Sequence, residues 1–276
     1  MCGMTFFGGK HKENGSLRLP AVAGSFYPGD PEVLRETVAG LLAQAQAAPR
    51  GDIRAVIAPH AGYIYSGPVA AQAFAPLQAL RGRVRRLVVI GPSHFVAFRG
   101  IAVPRVRAFR TPLGDMPVDA QAIARLAALP QVVEADEPHE GEHALEVELP
   151  FLQALFGPLP IVPLVVGRAS AEEVAQVLDA LWDTDTLIVV SSDLSHYLDY
   201  ESACLRDART AAAIERLDEA AIGPEDACGA LPLRALLRAA RRRGYAVERL
   251  DLRNSGDTAG DRNRVVGYGA WAVTAG

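Results

Sequence analysis

An α/β fold is what this 276-residue sequence predicts: a single domain with a mostly parallel central sheet, helices on both faces and an antiparallel edge. Three observations lead there. Apolar runs rich in β-branched residues alternate with longer segments whose apolar residues recur at helical spacing. No internal repeat, low-complexity tract or linker divides the chain. The last two runs, AVERLDLR and RVVGYGAWAV, are joined by the Gly/Asp/Asn-rich loop NSGDTAGDRN, which suits an antiparallel pair.

The elements follow in order. Residues 1–17 open on MCGMTFFGGKHKENGS, which ends polar and has no apolar signal core, so they read as a flexible leader before a domain over 18–276. Cys2 and His11 fall in that leader and are not expected to do chemistry. IRAVIA reads as a strand, and SGPVAAQAFAPLQAL as a helix with Ser66 or Gly67 near its start. RLVVIG is a second strand, followed by GIAVP, by VRAFRTPLG with its turn residues, and by a helix from about Val118 to Leu129. VVEAD is a short strand. EHALEVELPFLQALF has helical spacing, with Pro150 expected to bend the helix or end its first turn. PIVPLVVG and TLIVVSS are strands on either side of ASAEEVAQVLDALW, which opens on Ser170 with Glu173 three residues later, a capping-box pattern. Two amphipathic helices then cover about Tyr200 to Leu217 and Leu231 to Arg243.

Composition narrows the function. Half the residues are hydrophobic and 22% are charged, which supplies a core and argues against disorder. A formal net charge of −4 leaves no chain-wide basic footprint, so nucleic acid is not expected as a partner. The basic stretches RGRVRRL and RAARRRG read as solvated segments beside strands or at helix ends. No apolar run approaches the ~18 residues needed to span a bilayer, so no membrane partner is expected. Cys2, Cys204 and Cys228 cannot pair evenly and follow no secretory signal, which places the chain in the reducing cytoplasm with free thiols. Walker A and Rossmann glycine patterns are missing, which removes phosphate-transfer and dinucleotide chemistry.

Ligands of open α/β sheets bind outside the carboxyl ends of the strands. The first strand here ends in Pro59-His60, the second in Gly-Pro-Ser and His94, and TLIVV in Ser191, Ser192, Asp193 and then His196. His60 and His94 each follow a proline-containing turn that fixes the chain path, as a metal ligand requires; imidazoles suit zinc, iron or copper. Two candidates compete for third ligand. Cys228 lies just before a helix, where the dipole is expected to favour thiolate; Asp193 would complete a two-histidine, one-carboxylate set. His143, with Glu142 beside it and Glu146 at i+3, reads as a substrate-side acid/base or a partner orienting a ligand imidazole. No G-x-S-x-G elbow surrounds Ser191, Ser192 and Ser195, so they are expected to cap the following helix.

Eight segments occur in an order that resembles the Memo family, the mediators of cell motility also called system protein B of the AmmeMemoRadiSam group. They are PAVAGSFYPGDPEVL, APHAGYIYSGPVAAQAF, VVIGPSHF, TPLGDMPVD, EHALEVELPFL, SSDLSHY, CGALPL and VVGYGAWAV. The resemblance runs from about Leu19 to Val273. It implies a fold similar to the class III extradiol dioxygenases, with His60, His94 and Cys228 as metal site, Asp193 and His196 as pocket neighbours, and Phe26 and Tyr65 as aromatic lining. It also implies a functional link to a radical SAM protein of the same system. The dioxygenases use a carboxylate where this resemblance places Cys228, which counts against ring cleavage.

The expected function is therefore a metal-dependent, non-haem iron-like oxidoreductase acting on a small organic molecule. It carries one divalent metal, iron(II) before copper or zinc. His196, Asp193 and His143 are the expected acid/base groups, and Phe26 and Tyr65 the substrate contacts. The alternatives are a non-catalytic module that recognises a peptide or small anion in the same pocket, and a zinc hydrolase.

Overall fold

In the computed structural model, which describes residues 17–276, the apolar runs pair as strands and the helical segments cover both faces of the sheet they form. The first half of the chain runs β1 (Leu17–Arg18), α1 (Pro31–Gln44), β2 (Asp52–Ala58), α2 (Tyr63–Phe74), β3 (Arg86–Pro92), β4 (Ile101–Val103), β5 (Ala108–Thr111), β6 (Gly114–Pro117), α3 (Ala120–Leu126) and β7 (Val132–Glu134). The second half runs α4 (Glu137–Glu140), α5 (Leu149–Phe156), β8 (Ile161–Val166), α6 (Ala171–Leu181), β9 (Thr186–Ser191), β10 (His196–Leu198), α7 (Tyr200–Glu215), α8 (Ala230–Arg242), β11 (Ala246–Asn254) and β12 (Val265–Ala275).

Strand order in the main sheet is β10-β12-β2-β9-β3-β8-β4-β7, with β11 also paired to β12. The four inner strands β2, β9, β3 and β8 are parallel, and every residue of β8 and β9 is buried. Their unbroken apolar runs follow from cover on both faces. Alternation still decides which core each side chain enters. Ala55, Ile57, Val88 and Ile90 pack with α3, α6 and α8, whereas Val56, Ala58, Leu87 and Val89 pack with α1, α2 and α5. The final pair forms the expected antiparallel edge, with β12 antiparallel to β2, β10 and β11. A second antiparallel junction, β4 against β8, lies on the other side, and β1, β5 and β6 form a separate small sheet.

Several expectations are corrected. Helix α2 starts at Tyr63, not near Ser66 or Gly67. Pro68 makes the later start attractive, because proline suits a first helical turn. Tyr63 decides otherwise: it is buried, its amide donates to the Phe26 carbonyl (2.7 Å) and its hydroxyl donates to Val147 O (2.8 Å). The helix expected over Val118 to Leu129 is held to Ala120–Leu126, capped by Asp119. Helix α1 has no counterpart in the sequence reading, although Asp30 at its N-cap and Pro31 at its first position are a recognisable start. Of the expected leader, residues 1–16, including Cys2 and His11, lie outside the described residues, and Leu17 pairs with Ala108.

The connections position the site. From β2 to β3 the chain passes over β9, and from β8 to β9 it passes over β3. The carboxyl ends of β2, β9 and β3 are therefore three neighbours at one end of the sheet, where crossing connections leave a crevice.

Candidate metal centre

His60, two residues beyond β2, is tied to the end of β9 at two atoms. Its amide donates to Asp193 Oδ1 (2.8 Å), and its Nδ1 lies 2.7 Å from Ser191 Oγ. Ser191 Oγ also lies 2.7 Å from Ala144 O and 2.8 Å from Glu148 Oε1. A hydroxyl has one proton and two lone pairs. The Ala144 carbonyl can only accept, so it takes that proton. His60 Nδ1–H and Glu148 must then donate. Glu148 can do so because complete burial raises its carboxyl well above the ordinary range. His60 is thereby fixed as the tautomer whose Nε2 lone pair faces away from Ser191.

His94 is oriented by a different group. Its amide donates to Glu142 Oε2 (2.7 Å) and its Nδ1–H donates to Oε1 (2.8 Å), while the Ala144 amide also donates to Oε1 (2.9 Å). Burial works against the Glu142 carboxylate, but the bonds from His94 and Ala144 outweigh it and hold its pKa down at about 2. With Nδ1 held by Glu142, Nε2 is the ring nitrogen that His94 has left for a ligand.

His143 completes the group. Its ring stacks on that of His94 with centroids 4.6 Å apart, and it meets His60 edge-on at 5.4 Å. One ligand nitrogen from each of His60, His94 and His143 lies within 4.8 Å of the other two. Burial, with the nearby imidazoles adding to it, lowers His60 to about 3 and His143 to about 4. Both are neutral at pH 7, so no proton has to leave before a cation is bound. Three imidazoles with a ligand nitrogen each brought to one point, two of the rings held from behind by Ser191 and Glu142, fit a divalent metal.

Cys228 stands beside this group rather than within it. Its Sγ is 3.3 Å from His60 Nε2 and accepts from the Asp193 amide (3.3 Å). The expectation that the helix start favours thiolate is reversed. Burial and the Asp193 charge push the thiol up to about 12, against the hydrogen bonds from Asp193, Ser192 and Gly229. Gly229 permits this packing: a Cβ there would come within 2.6 Å of Ser192 Cβ.

Asp193 is buried, and burial raises its carboxyl despite the nearby imidazoles and the bond from the His60 amide. His196 Nδ1–H donates to Leu194 O (2.8 Å), so the neutral ring presents an Nε2 lone pair. Tyr197 after it holds a left-handed backbone (φ 61°), a conformation rare for a bulky residue, at the edge of the cavity. The serines do not cap the following helix, whose cap is Asp199. Ser191 instead orients His60, Ser192 Oγ accepts the Gly229 amide at the start of α8 (2.9 Å), and the Ser195 amide donates to Asp207 Oδ1 (3.1 Å).

One cavity of about 1040 Å³ opens onto the histidines. His60, His94, His143, Asp193, His196 and Cys228 line it, as do Phe26 and Tyr65. Phe26 is brought there by the segment before α1, which is anchored on the buried Glu146. That carboxylate pairs with Arg18 and accepts from the amides of Ala21 (2.8 Å) and Val22 (3.0 Å) and from Tyr27 Oη (2.5 Å). Glu146, Glu148 and the Ser191 bridge carry no mark in the sequence that separates them from an acidic helix turn and a strand-end serine.

Comparison with known proteins agrees with this architecture. Residues 18–272 match the family described as Memo-like protein. The chain is 34% identical over 277 residues to a MEMO1 family protein of Sulfolobus acidocaldarius, covering 91% of this chain and 97% of that one. It is 35% identical over 278 residues to a MEMO1 family protein of Methanopyrus kandleri, covering 92% and 97%. Among solved structures, an uncharacterized protein of Escherichia coli K12 superposes with a TM-score of 0.53 at 18% identity, over 78% of this chain and 99% of that one. That likeness concerns the fold.

Proposed function

Because the chain belongs to the Memo-like protein family, we propose that it is a metal-dependent oxidoreductase. Its metal would be held by His60, His94 and His143, with Cys228 as a further donor. The convergence of three imidazole ligand atoms within 4.8 Å of one another carries this reading. The Cys228 sulfur, 3.3 Å from His60 Nε2, is within reach of an ion seated there. His143, read from sequence as an acid/base group or a partner orienting a ligand imidazole, would be a ligand because its ring nitrogen converges with those of His60 and His94. Iron(II) is the proposed metal, and when bound it supplies redox chemistry at open coordination positions.

The chain's own groups do the remaining work. Ser191 and Glu142 hold two imidazoles in the ligating tautomer. His196 presents Nε2 to the cavity as a base, and the nearby Asp193 carboxylate stabilises the imidazolium after a proton is taken. Phe26 and Tyr65 offer aromatic faces to a small organic substrate. The proposed setting is the cytoplasm, where Cys228 stays reduced, with a radical SAM protein of the same system as functional partner.

The test is oxygen consumption by the iron-loaded chain across a panel of oxidisable aromatic compounds. Substrate-dependent uptake that chelation abolishes and His196→Gln slows supports the oxidoreductase. No uptake across the panel, with compounds still bound by the chelated chain, supports the alternative of a binding module. That alternative draws on the exposed rim formed by Ile64, Tyr65 and Tyr197.

Among the described residues, no helix is long and apolar enough to cross a membrane.

A further inference from the structure

A second cavity, of about 620 Å³, lies at the carboxyl ends of β3 and β8 beside the start of α8. It shares one residue, Cys228, with the cavity of the histidines. Its lining includes Arg99 and Arg168 and no acidic residue. Neither guanidinium makes a hydrogen bond or ion pair with another side chain among the described residues. Glu173, which feels the Arg99 charge, is committed to the cap of α6, where it accepts from the Ser170 amide (2.7 Å).

The two arginines are placed together by the backbone. Arg99 and Arg168 are directly paired in a parallel bridge. The Arg168 amide donates to Phe98 O (2.8 Å), the Gly100 amide to Arg168 O (2.9 Å) and the Gly167 amide to Gly100 O (3.0 Å). This close pairing depends on glycine: a Cβ at Gly167 would meet Phe98 O at 2.5 Å. Side chains of directly paired residues leave a ladder on the same face. Like charges opposite one another destabilise a ladder. The chain thus holds two solvent-exposed cations side by side at a cavity wall, neither tied down by a side-chain hydrogen bond or ion pair among the described residues. Guanidinium forks match the oxygens of a phosphate group, and a dianion neutralises both charges at once.

We propose that this cavity is a second ligand site, which binds a phosphate group, free or as a small monoester, between Arg99 and Arg168. The site does not depend on the proposed oxidoreductase activity and touches the metal centre through Cys228 alone. It places a ligand against the far side of Cys228.

The test is calorimetric titration of the full chain with inorganic phosphate, glycerol 3-phosphate and acetate, at low ionic strength and pH 8, where phosphate is a dianion. Saturable phosphate binding is expected, weakened at least tenfold by Arg99→Gln or Arg168→Gln and unchanged by His94→Ala. The ratio of the two phosphate affinities tells whether the free ion or a monoester is the better ligand. Melting gives a second readout. Without phosphate, Arg168→Gln should melt at or above the wild type, because a repulsion is relieved; with phosphate, only the wild type should rise. Absence of saturable phosphate binding, binding that survives both arginine substitutions, loss of binding in His94→Ala, or acetate binding as tightly as phosphate would each overturn the assignment.

Discussion

Glu142 offers the sharpest perturbation of the metal centre, because it touches His94 at two atoms. Glu142→Gln keeps the shape but replaces one acceptor oxygen with an amide donor. Three N–H groups, from His94 (two) and Ala144, now face a carboxylate at 2.7–2.9 Å. In the variant at least one of them faces an NH₂. The Glu142 side chain is 2% exposed, so solvent does little to screen these contacts. A carboxyl held at about 2 instead of 4.5 stabilises the fold by about 3 kcal/mol. Because the folded pKa is the lower one, that stability is present above pH 4.5 and is lost as pH falls toward 2. At pH 7 the metal-free variant should therefore unfold about 3 kcal/mol more readily in urea than the wild type. Metal affinity, read by competition with a chromophoric chelator, should drop about 10- to 100-fold, as His94 is freed to present Nε2–H in place of its lone pair. An affinity unchanged from wild type, whatever the stability, would refute the orienting role of Glu142.

Other consequences are as direct. With His60 lowered to about 3 and His143 to about 4, both rings should stay neutral from pH 7 to pH 5 in the metal-free chain; an NMR titration in which either ring takes its proton near 6.5 would contradict their burial. The same two groups make the metal-free fold lose stability as pH falls below 6.5, since the unfolded chain takes protons first, and His60→Ala should flatten that slope in urea titrations. Gly229→Ala forces a Cβ against Ser192 and should cost about 1–3 kcal/mol while moving Cys228 from His60; wild-type stability together with wild-type metal content would show that α8 tolerates the shift. Arg18→Met leaves Glu146 buried and uncompensated and should destabilise the chain by about 3–5 kcal/mol in denaturation. It should also loosen the segment that carries Phe26, seen as faster amide exchange there.

Much of the centre is legible in the chain because each strand end is written in local code. An apolar run followed by proline and histidine marks His60 and His94, and the run before Ser191 marks Asp193 and His196. What escapes is set by long-range geometry. His143 joins His94 because the loop after α4 turns back across the strand ends, and no local signal distinguishes that from an acidic helix start. Cys228 lies at a helix start, as read, but the thiol is raised rather than lowered, because burial and Asp193 outweigh the backbone donors. Ser191 acts on His60, 131 residues away, a pairing fixed only when β2 lies against β9. Helix α1 was readable from Asp30-Pro31, whereas the start of α2 at Tyr63 depends on contacts with Phe26 and Val147.

The most direct measurement is elemental analysis of the chain purified without added metal under anaerobic conditions, beside His60→Ala, His143→Ala and Cys228→Ala. About one iron per chain in the wild type is expected, lost in both histidine variants and weakened in the cysteine variant. A wild type that holds no stoichiometric metal, even after reconstitution with iron(II), would contradict the metal centre.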